Sequence, residues 1–323
     1  MAFDTIVASF LGINWQEAAQ LATNGLINGS SYGLLGVGFA LILGVTGRFH
    51  FAFAFTYTLT AYIATVAASD TGINFWFSLV LGLLAGTGAG VLIEAVVYRP
   101  VAARSGAKSL LTIFVASLGL TIAGENAIRL KWGSGSKIFE DFLNNGHALG
   151  SVTFTRVDVI SVITTLVLVA LVQAMLRTTP LGRQIRAVRA NPEMARAVGV
   201  EIGRVYLAVF AIGSLLAGFG ALFAAVKFAA APDMGVQPVF YAFLVAFLAG
   251  TRSAPLIALA VGVGVGLVES LSALWVSVQW GSLVVFAILF LYLSYRSASE
   301  SLGRLRLPGD AKLRLGLGRI GAR

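Results

Sequence analysis

The residues able to do chemistry are few and widely spaced. There are two histidines, His50 and His147, and no cysteine. Disulfides, thiolate ligation and Cys nucleophiles are therefore excluded, and a zinc or copper site is not expected. No Ser-His-Asp arrangement can be built from two scattered histidines. No G-x-x-x-x-G-K-[ST] loop is present; the nearest stretch, Ser105-Gly106-Ala107-Lys108-Ser109, lacks the right glycines. This chain therefore does not bind ATP through a phosphate loop of its own. Three carboxylates sit within apolar runs: Glu94, Glu125 and Glu269. Ionisable groups in such places are functional candidates by default. Glu94 precedes Arg99 by little more than a turn, and Glu125 stands at i,i+4 to Arg129. The simplest reading puts all three near an interface, reaching water or pairing with arginine. No acidic group stands clearly at the centre of a run, which weighs against a proton-driven carrier.

Two further patterns interrupt the apolar runs. One is Gly44-Val45-Thr46-Gly47-Arg48-Phe49-His50; the other is Leu248-Ala249-Gly250-Thr251-Arg252-Ser253-Ala254-Pro255. Each puts Gly, Thr and Arg between hydrophobic segments, one in each half of the chain. Paired interruptions of this kind point to a translocation site, or else to two tight turns. A third pattern is the basic stretch 177–204. Leu181, Ile185, Val188, Met194 and Val198 form a sparse apolar stripe along it. Asn191-Pro192 divides it into two short helices, with Asn191 as N-cap, Pro192 at the first helical position and Gly199 as a stop. A short amphipathic helix of this kind suits docking in a groove of a partner.

The elements that carry these patterns follow from composition. Of 323 residues, 58% are apolar and 11% charged, against about 25% charged in soluble domains. Mean hydropathy is +0.88. The fold class is an all-α polytopic membrane protein. Nine apolar segments can be traced: 26–46, 49–68, 75–98, 110–130, 159–176, 205–226, 240–250, 255–275 and 281–295. Segments of about 20 residues without strict alternation exclude a spanning sheet. The count is nine crossings, or eight if one short segment is re-entrant.

Charge placement orients the segments. Most of the 23 basic residues fall in alternate loops and in the C-terminal tail. The positive-inside rule then sets the N-terminus outside and the C-terminus in the cytoplasm. The net charge of +9 is thereby assigned to membrane lipid headgroups, with no nucleic acid partner. Residues 1–25 form an N-terminal periplasmic segment, 26–298 the transmembrane domain with the cytoplasmic loop 177–204, and 299–323 a basic cytoplasmic tail. Glycine abounds in the segments, including Gly86-x-x-x-Gly90. Small residues let helices approach closely in lipid.

Three stretches resemble one family. Gly182, Arg183, Arg186, Ala187, Asn191, Ala195 and Gly199, followed by Ala217, Gly218, Gly220 and Leu222, are similar to the coupling loop and next span of permease subunits of branched-chain amino acid ABC importers. Ile93-Glu94-Ala95-Val96-Val97-Tyr98-Arg99-Pro100-Val101 and Asn28-Gly29-Ser30-Ser31-Tyr32-Gly33-Leu34 resemble two further motifs of that family, in the same order. The resemblance spans about residues 20–298.

It implies a non-ATPase membrane subunit of an ATP-driven importer in the bacterial inner membrane. The implied partners are a second homologous permease, two cytoplasmic P-loop ATPase subunits that bind ATP and Mg, a periplasmic solute-binding protein and a small-molecule solute. This chain itself carries no cofactor or metal. The coupling residues would be Gly182, Arg183, Arg186, Ala187, Asn191, Ala195 and Gly199. Glu94 and Arg99 would be polar groups within the membrane. The chain departs from the family where the solute path is expected. There, His50-Phe51-Ala52-Phe53-Ala54-Phe55 replaces a more polar stretch, and Gly250-Thr251-Arg252 replaces a glycine-rich one. The expected path residues are His50, Phe51, Phe53, Phe55, Gly250, Thr251 and Arg252. Their aromatic character would suit an apolar or aromatic solute. A stand-alone secondary transporter and a passive channel are the alternatives. The first needs an ion site, and the second needs no docking helix.

Overall fold

The computed structural model describes residues 15–105, 109–139, 146–149, 152–251, 253–288, 290–292 and 294. The chain runs through α1 (Trp15–Thr46), α2 (Phe53–Ser69), α3 (Phe75–Leu92), a π-helical turn (Ile93–Tyr98), α4 (Arg99–Ser105) and α5 (Ser109–Trp132). Then come β1 (Gly146–Leu149), β2 (Val152–Thr155), α6 (Arg156–Thr178), α7 (Pro180–Ala190) and α8 (Pro192–Ala197). The last helices are α9 (Ile202–Lys227), α10 (Val236–Ala249), α11 (Pro255–Ser272) and the stretch Gly281–Tyr292.

Local chemistry sets several of these ends. Asn74 caps α3 by accepting from the Trp76 amide. Thr155 and Asp158 form a reciprocal capping box at α6. Thr179 and Asn191 cap α7 and α8, each followed by proline at the first helical position. Gly47, at φ +68°, closes α1, and its amide bonds the Leu43 carbonyl at 2.8 Å. That is the left-handed stop that only glycine adopts cheaply.

Each expected apolar segment corresponds to a helix. Among the described residues, six helices are long and apolar enough to cross a membrane. Phe53–Ser69, Val236–Ala249 and Gly281–Tyr292 are shorter. At 1.5 Å per residue, α2 and α10 measure about 25 and 21 Å, short of a roughly 30 Å hydrocarbon layer. Of the two, α10 packs against the long α1 and α2 against α3, while α9 packs against α1, α2 and α3. By contrast α3, α5 and α6 present large apolar side chains outward, such as Phe77, Leu84, Leu111, Ile122 and Ile163.

Three expectations are corrected. The first helix already covers residues 15–25 and does not open at Leu26. Its first turns carry Gln16, Glu17, Gln20 and Asn24, which end an apolar run but do not end a helix. Gln20 also holds this end, donating to the Thr153 carbonyl and accepting from the Thr153 amide. The second helix starts at Phe53 rather than Phe49, because Gly47 to Ala52 form the turn. Finally, an antiparallel hairpin pairs Gly146–Leu149 with Val152–Thr155 in the connection before α6. It lies outside the apolar segments, so the exclusion of a spanning sheet is unaffected. Met1–Asn14 and the tail 299–323 lie outside the described residues.

Candidate functional site

The helix pair α7–α8 lies across one end of the bundle. Ile185 and Val188 are buried and Leu181 half-buried, so three positions of the expected stripe face inward. Gly182 is buried because a Cβ there would meet the Leu176 carbonyl carbon at 2.7 Å. Ala195 is 3% exposed. Arg183, Arg186, Asn191 and Gly199 face outward, and Ala187 is half-buried. The coupling residues therefore divide into an inner packing set and an outer polar set.

Met194 and Val198 depart from the expected stripe. They are 67% and 79% exposed. The extended backbone of Asn191, at φ −158° and ψ 108°, separates the two helices. The apolar phase of α7 therefore does not continue into α8. The Asn191 side chain accepts from the Glu193 and Met194 amides at 3.0 and 3.1 Å. The result is a firmly capped turn of helix carrying two exposed apolar side chains, Met194 and Val198, with Arg196 between them in sequence.

Beneath this pair sits a buried polar cluster. Glu94 lies in the π-helical turn, is 0% exposed and pairs with Arg48. The Arg48 guanidinium also lies 5.0 Å above the Tyr206 ring. Of the expected interface pairings, Glu94 thus finds an arginine, but in the interior and not the nearby Arg99. Arg99 instead donates to the Gly203 carbonyl at 2.9 Å. His50 is buried, with Nδ1 2.9 Å from the Tyr98 hydroxyl and its ring edge-on to Phe53 and Phe210. The Phe51 amide donates to Ser117 and its carbonyl accepts from Thr121. Phe53 is buried edge-on to Phe39 at 5.9 Å, and half-buried Phe55 covers Gly124. These four aromatic positions are built into the packed interior. Gly250, at φ +83°, ends α10. The Thr251 carbonyl accepts from Arg189 of α7. Arg252 lies outside the described residues.

Towards the other end, a cavity of about 440 Å³ opens between α1, α6, α9 and α10. Asn28, Tyr32, Asp158, Lys227, Gln237 and Tyr241 supply its polar lining. Lys227 donates to Asp158 at 2.6 Å. None of the described residues expected on the path lines it. Asp158 in the first turn of α6 and Lys227 at the end of α9 meet here. The sequence signal was present, a lysine closing one helix and an acid opening another. Glu269 lies behind this wall, accepting from the Tyr241 hydroxyl, while Tyr241 stacks on Tyr32 at 4.1 Å. Glu125 does not share a salt bridge with Arg129, which lies 3.8 Å from Asp233. Nearby, Lys137 bonds Asp70 at 2.9 Å and holds that carboxyl below its usual range. Among the described residues, no three His, Asp or Glu side chains converge as metal ligands.

Six long apolar helices, α1 and α9 the most enclosed of them, with a polar pair sealed inside, define a multi-pass membrane protein. The chain belongs to the family described as branched-chain amino acid transport system / permease component, whose model matches residues 21–293. It is similar to the high-affinity branched-chain amino acid transport system permease protein LivH of Escherichia coli (strain K12). That relative is 27% identical over 84% of this chain and 91% of its own length. BraD of Pseudomonas aeruginosa, a permease protein of the same description, is 28% identical over 86% of this chain and 93% of its own. Among solved structures, PsaBC from Streptococcus pneumoniae in complex with Fab matches with a TM-score of 0.50 and 14% identity. It covers 90% of this chain and 95% of that one, and the likeness concerns fold alone.

Proposed function

We propose that this chain is the membrane permease subunit of an ABC importer and forms half of a solute path. The observation that carries the reading is the α7–α8 pair: a capped, basic helix turn with Met194 and Val198 exposed, on a chain of this family. Two exposed apolar side chains on a basic segment suit a groove on a cytoplasmic ATPase. The ATPases would bind ATP and Mg, and this chain would contribute no catalysis. With α7–α8 cytoplasmic, the N-terminus is periplasmic and the tail 299–323 is cytoplasmic, in the bacterial inner membrane. A second permease completes the path, and a periplasmic binding protein delivers the solute. ATP-driven movement of the ATPases would shift the population between inward-open and outward-open bundles.

The cavity at the opposite end then faces the periplasm and receives the solute. Its Lys227 ammonium and the Asn28 and Gln237 amides suit a small amino acid-like, amide or organic acid solute with an apolar body held by Tyr32, Tyr57 and Phe223. If Lys227 engages a carboxylate, Lys227→Met should raise the KM for uptake of a branched-chain amino acid about tenfold. An unchanged KM in an active complex removes the cavity from the path.

The test of the main reading is copurification. The tagged chain is isolated from its native membrane in mild detergent, and its companions are identified by mass spectrometry. A P-loop ATPase and a second apolar permease should accompany it in near-equal amounts. Met194→Glu with Val198→Glu should release the ATPase and retain the permease, because both residues are largely exposed. A chain isolated alone in several detergents, or one whose ATPase ignores the double substitution, overturns the reading.

A further inference from the structure

Three features of the chain meet at one side chain. Arg189 is the last arginine of α7, half-buried beneath the bundle. Its Nη2 donates to the Thr251 carbonyl, in the turn that follows α10. Its guanidinium also lies against Gly44, in the last turn of α1. A Cβ built on Gly44 would collide with the Thr251 carbonyl oxygen and come within 2.9 Å of Nη2 and 3.2 Å of Nε, so the α1 end, the turn and the guanidinium meet at one point. Val37, Leu41, Leu176, Ser253, Pro255 and Ala258 surround the same small space. One planar, rigid fork thus bridges α7, the end of α1 and the turn between α10 and α11. The two turns that it joins are those that interrupt the apolar runs.

We propose that Arg189 is the positioning residue that transmits movement of α7–α8 to both turns, so that the ends of α1 and α10 move together. The inference rests on the reading of α7–α8 as the element that docks on the ATPase. The geometry is favourable because α7 is itself rigidly held. Ile185 and Val188 anchor it to the bundle, and Thr179 ties its start to α6. A carbonyl acceptor also makes the link independent of the Thr251 side chain. The absence of a side chain at Gly44 leaves the slot through which the guanidinium passes. Arginine reaches both elements at once. Lysine is a point charge on a flexible stem, and it would hold one element at most.

The absence of native cysteine makes a direct test practical. Nitroxide labels are placed at Leu256→Cys, which opens α11 beside the turn, and at Asp70→Cys at the far end of α2. Distances are read by pulsed electron paramagnetic resonance in the complete complex, with cysteine-free partners, without nucleotide and with ATP, Mg and vanadate. In the parent complex the distance distribution shifts with nucleotide. Arg189→Met should lower the nucleotide-driven change in the population ratio about tenfold or more, while the ATPase still copurifies. Arg189→Lys should fall between. Gly44→Ala fills the slot, displaces the guanidinium and the Thr251 carbonyl, and should reproduce the loss with Arg189 itself retained. A residue that merely stabilised the fold would change melting and leave the nucleotide response intact. An equal response in the parent, Arg189→Met and Gly44→Ala complexes overturns this inference alone. A parent chain that brings down no ATPase overturns the importer reading, and this inference with it.

Discussion

Replacing Arg48 by methionine is expected to destabilise the chain by about 3–5 kcal/mol, the cost of leaving a buried charge without its partner. The prediction follows from the setting of Glu94. It is fully enclosed, and its Oε2 accepts from Arg48. Its Oε1 has no hydrogen-bond partner among the described residues. Nothing near it is placed to take over if the guanidinium is removed. His50 is engaged at Nδ1 with Tyr98, and Arg99 is turned to the Gly203 carbonyl. Glu94→Leu alone should be costly too, because it strands Arg48 between Tyr206 and the bundle. The double change Arg48→Met with Glu94→Leu should recover most of the loss, since well-packed apolar groups commonly replace a buried pair at little net cost. Thermal unfolding in detergent of the four proteins closes the cycle. A coupling term near zero would mean that the two groups are independently solvated, contrary to their burial.

This pair also shows where sequence reading reaches its limit. Arg48 and Glu94 are 46 positions apart. With only local spacing to use, Glu94 is naturally matched to Arg99, one turn away on its own helix. The π-helical turn at Ile93–Tyr98 disturbs that simple spacing, and π turns recur at functional sites. The interior position of Glu94 becomes visible only once α1, α3 and α9 are packed. Elements with local causes were legible. Asn191-Pro192, Gly47, Gly199 and the apolar segment centres all appear where capping chemistry and hydropathy put them. Two kinds of feature were not. The start of α1 carries polar residues that continue a helix without continuing an apolar run. The outward turn of Met194 and Val198 depends on how far the Asn191 backbone rotates the second helix against the first, and spacing counts cannot supply that angle. The aromatic run His50 to Phe55 was identified as unusual, and its place in the interior comes from contacts with Phe39, Ser117 and Phe210 in other helices.

The second large effect concerns the seam between α1 and α11. Gly29→Val should destabilise the chain by about 1–3 kcal/mol or more, as overpacking does when the obstacle cannot move. The obstacle is backbone. A Cβ on Gly29 would stand 2.7 Å from the Val263 Cα, one on Gly25 2.9 Å from the Leu267 Cα, and one on Gly33 3.0 Å from the Leu259 Cα. On the facing helix, Gly262 and Gly266 abut Gly33 and Gly29 in return. No rotamer change relieves such a contact; the two helices must separate along the seam. In lipid that separation is serious, because tails are as apolar as the side chains and close packing is what holds spans together. The same argument assigns Gly86-x-x-x-Gly90 to packing within the chain. Added Cβ atoms there would meet the Thr56 carbonyl at 2.9 Å and the Ser214 Cβ at 2.7 Å. Glycines with open surroundings should behave oppositely. Gly88 and Gly264 sit inside helices with nothing within 4 Å of an added Cβ. Gly88→Ala and Gly264→Ala should therefore raise stability by up to about 1 kcal/mol through helix propensity. Melting temperatures in one detergent decide the matter. If Gly29→Val melts with the parent, α1 and α11 are not held by backbone contact. If Gly88→Ala instead melts well below the parent, that open face is covered by another subunit in the assembled protein.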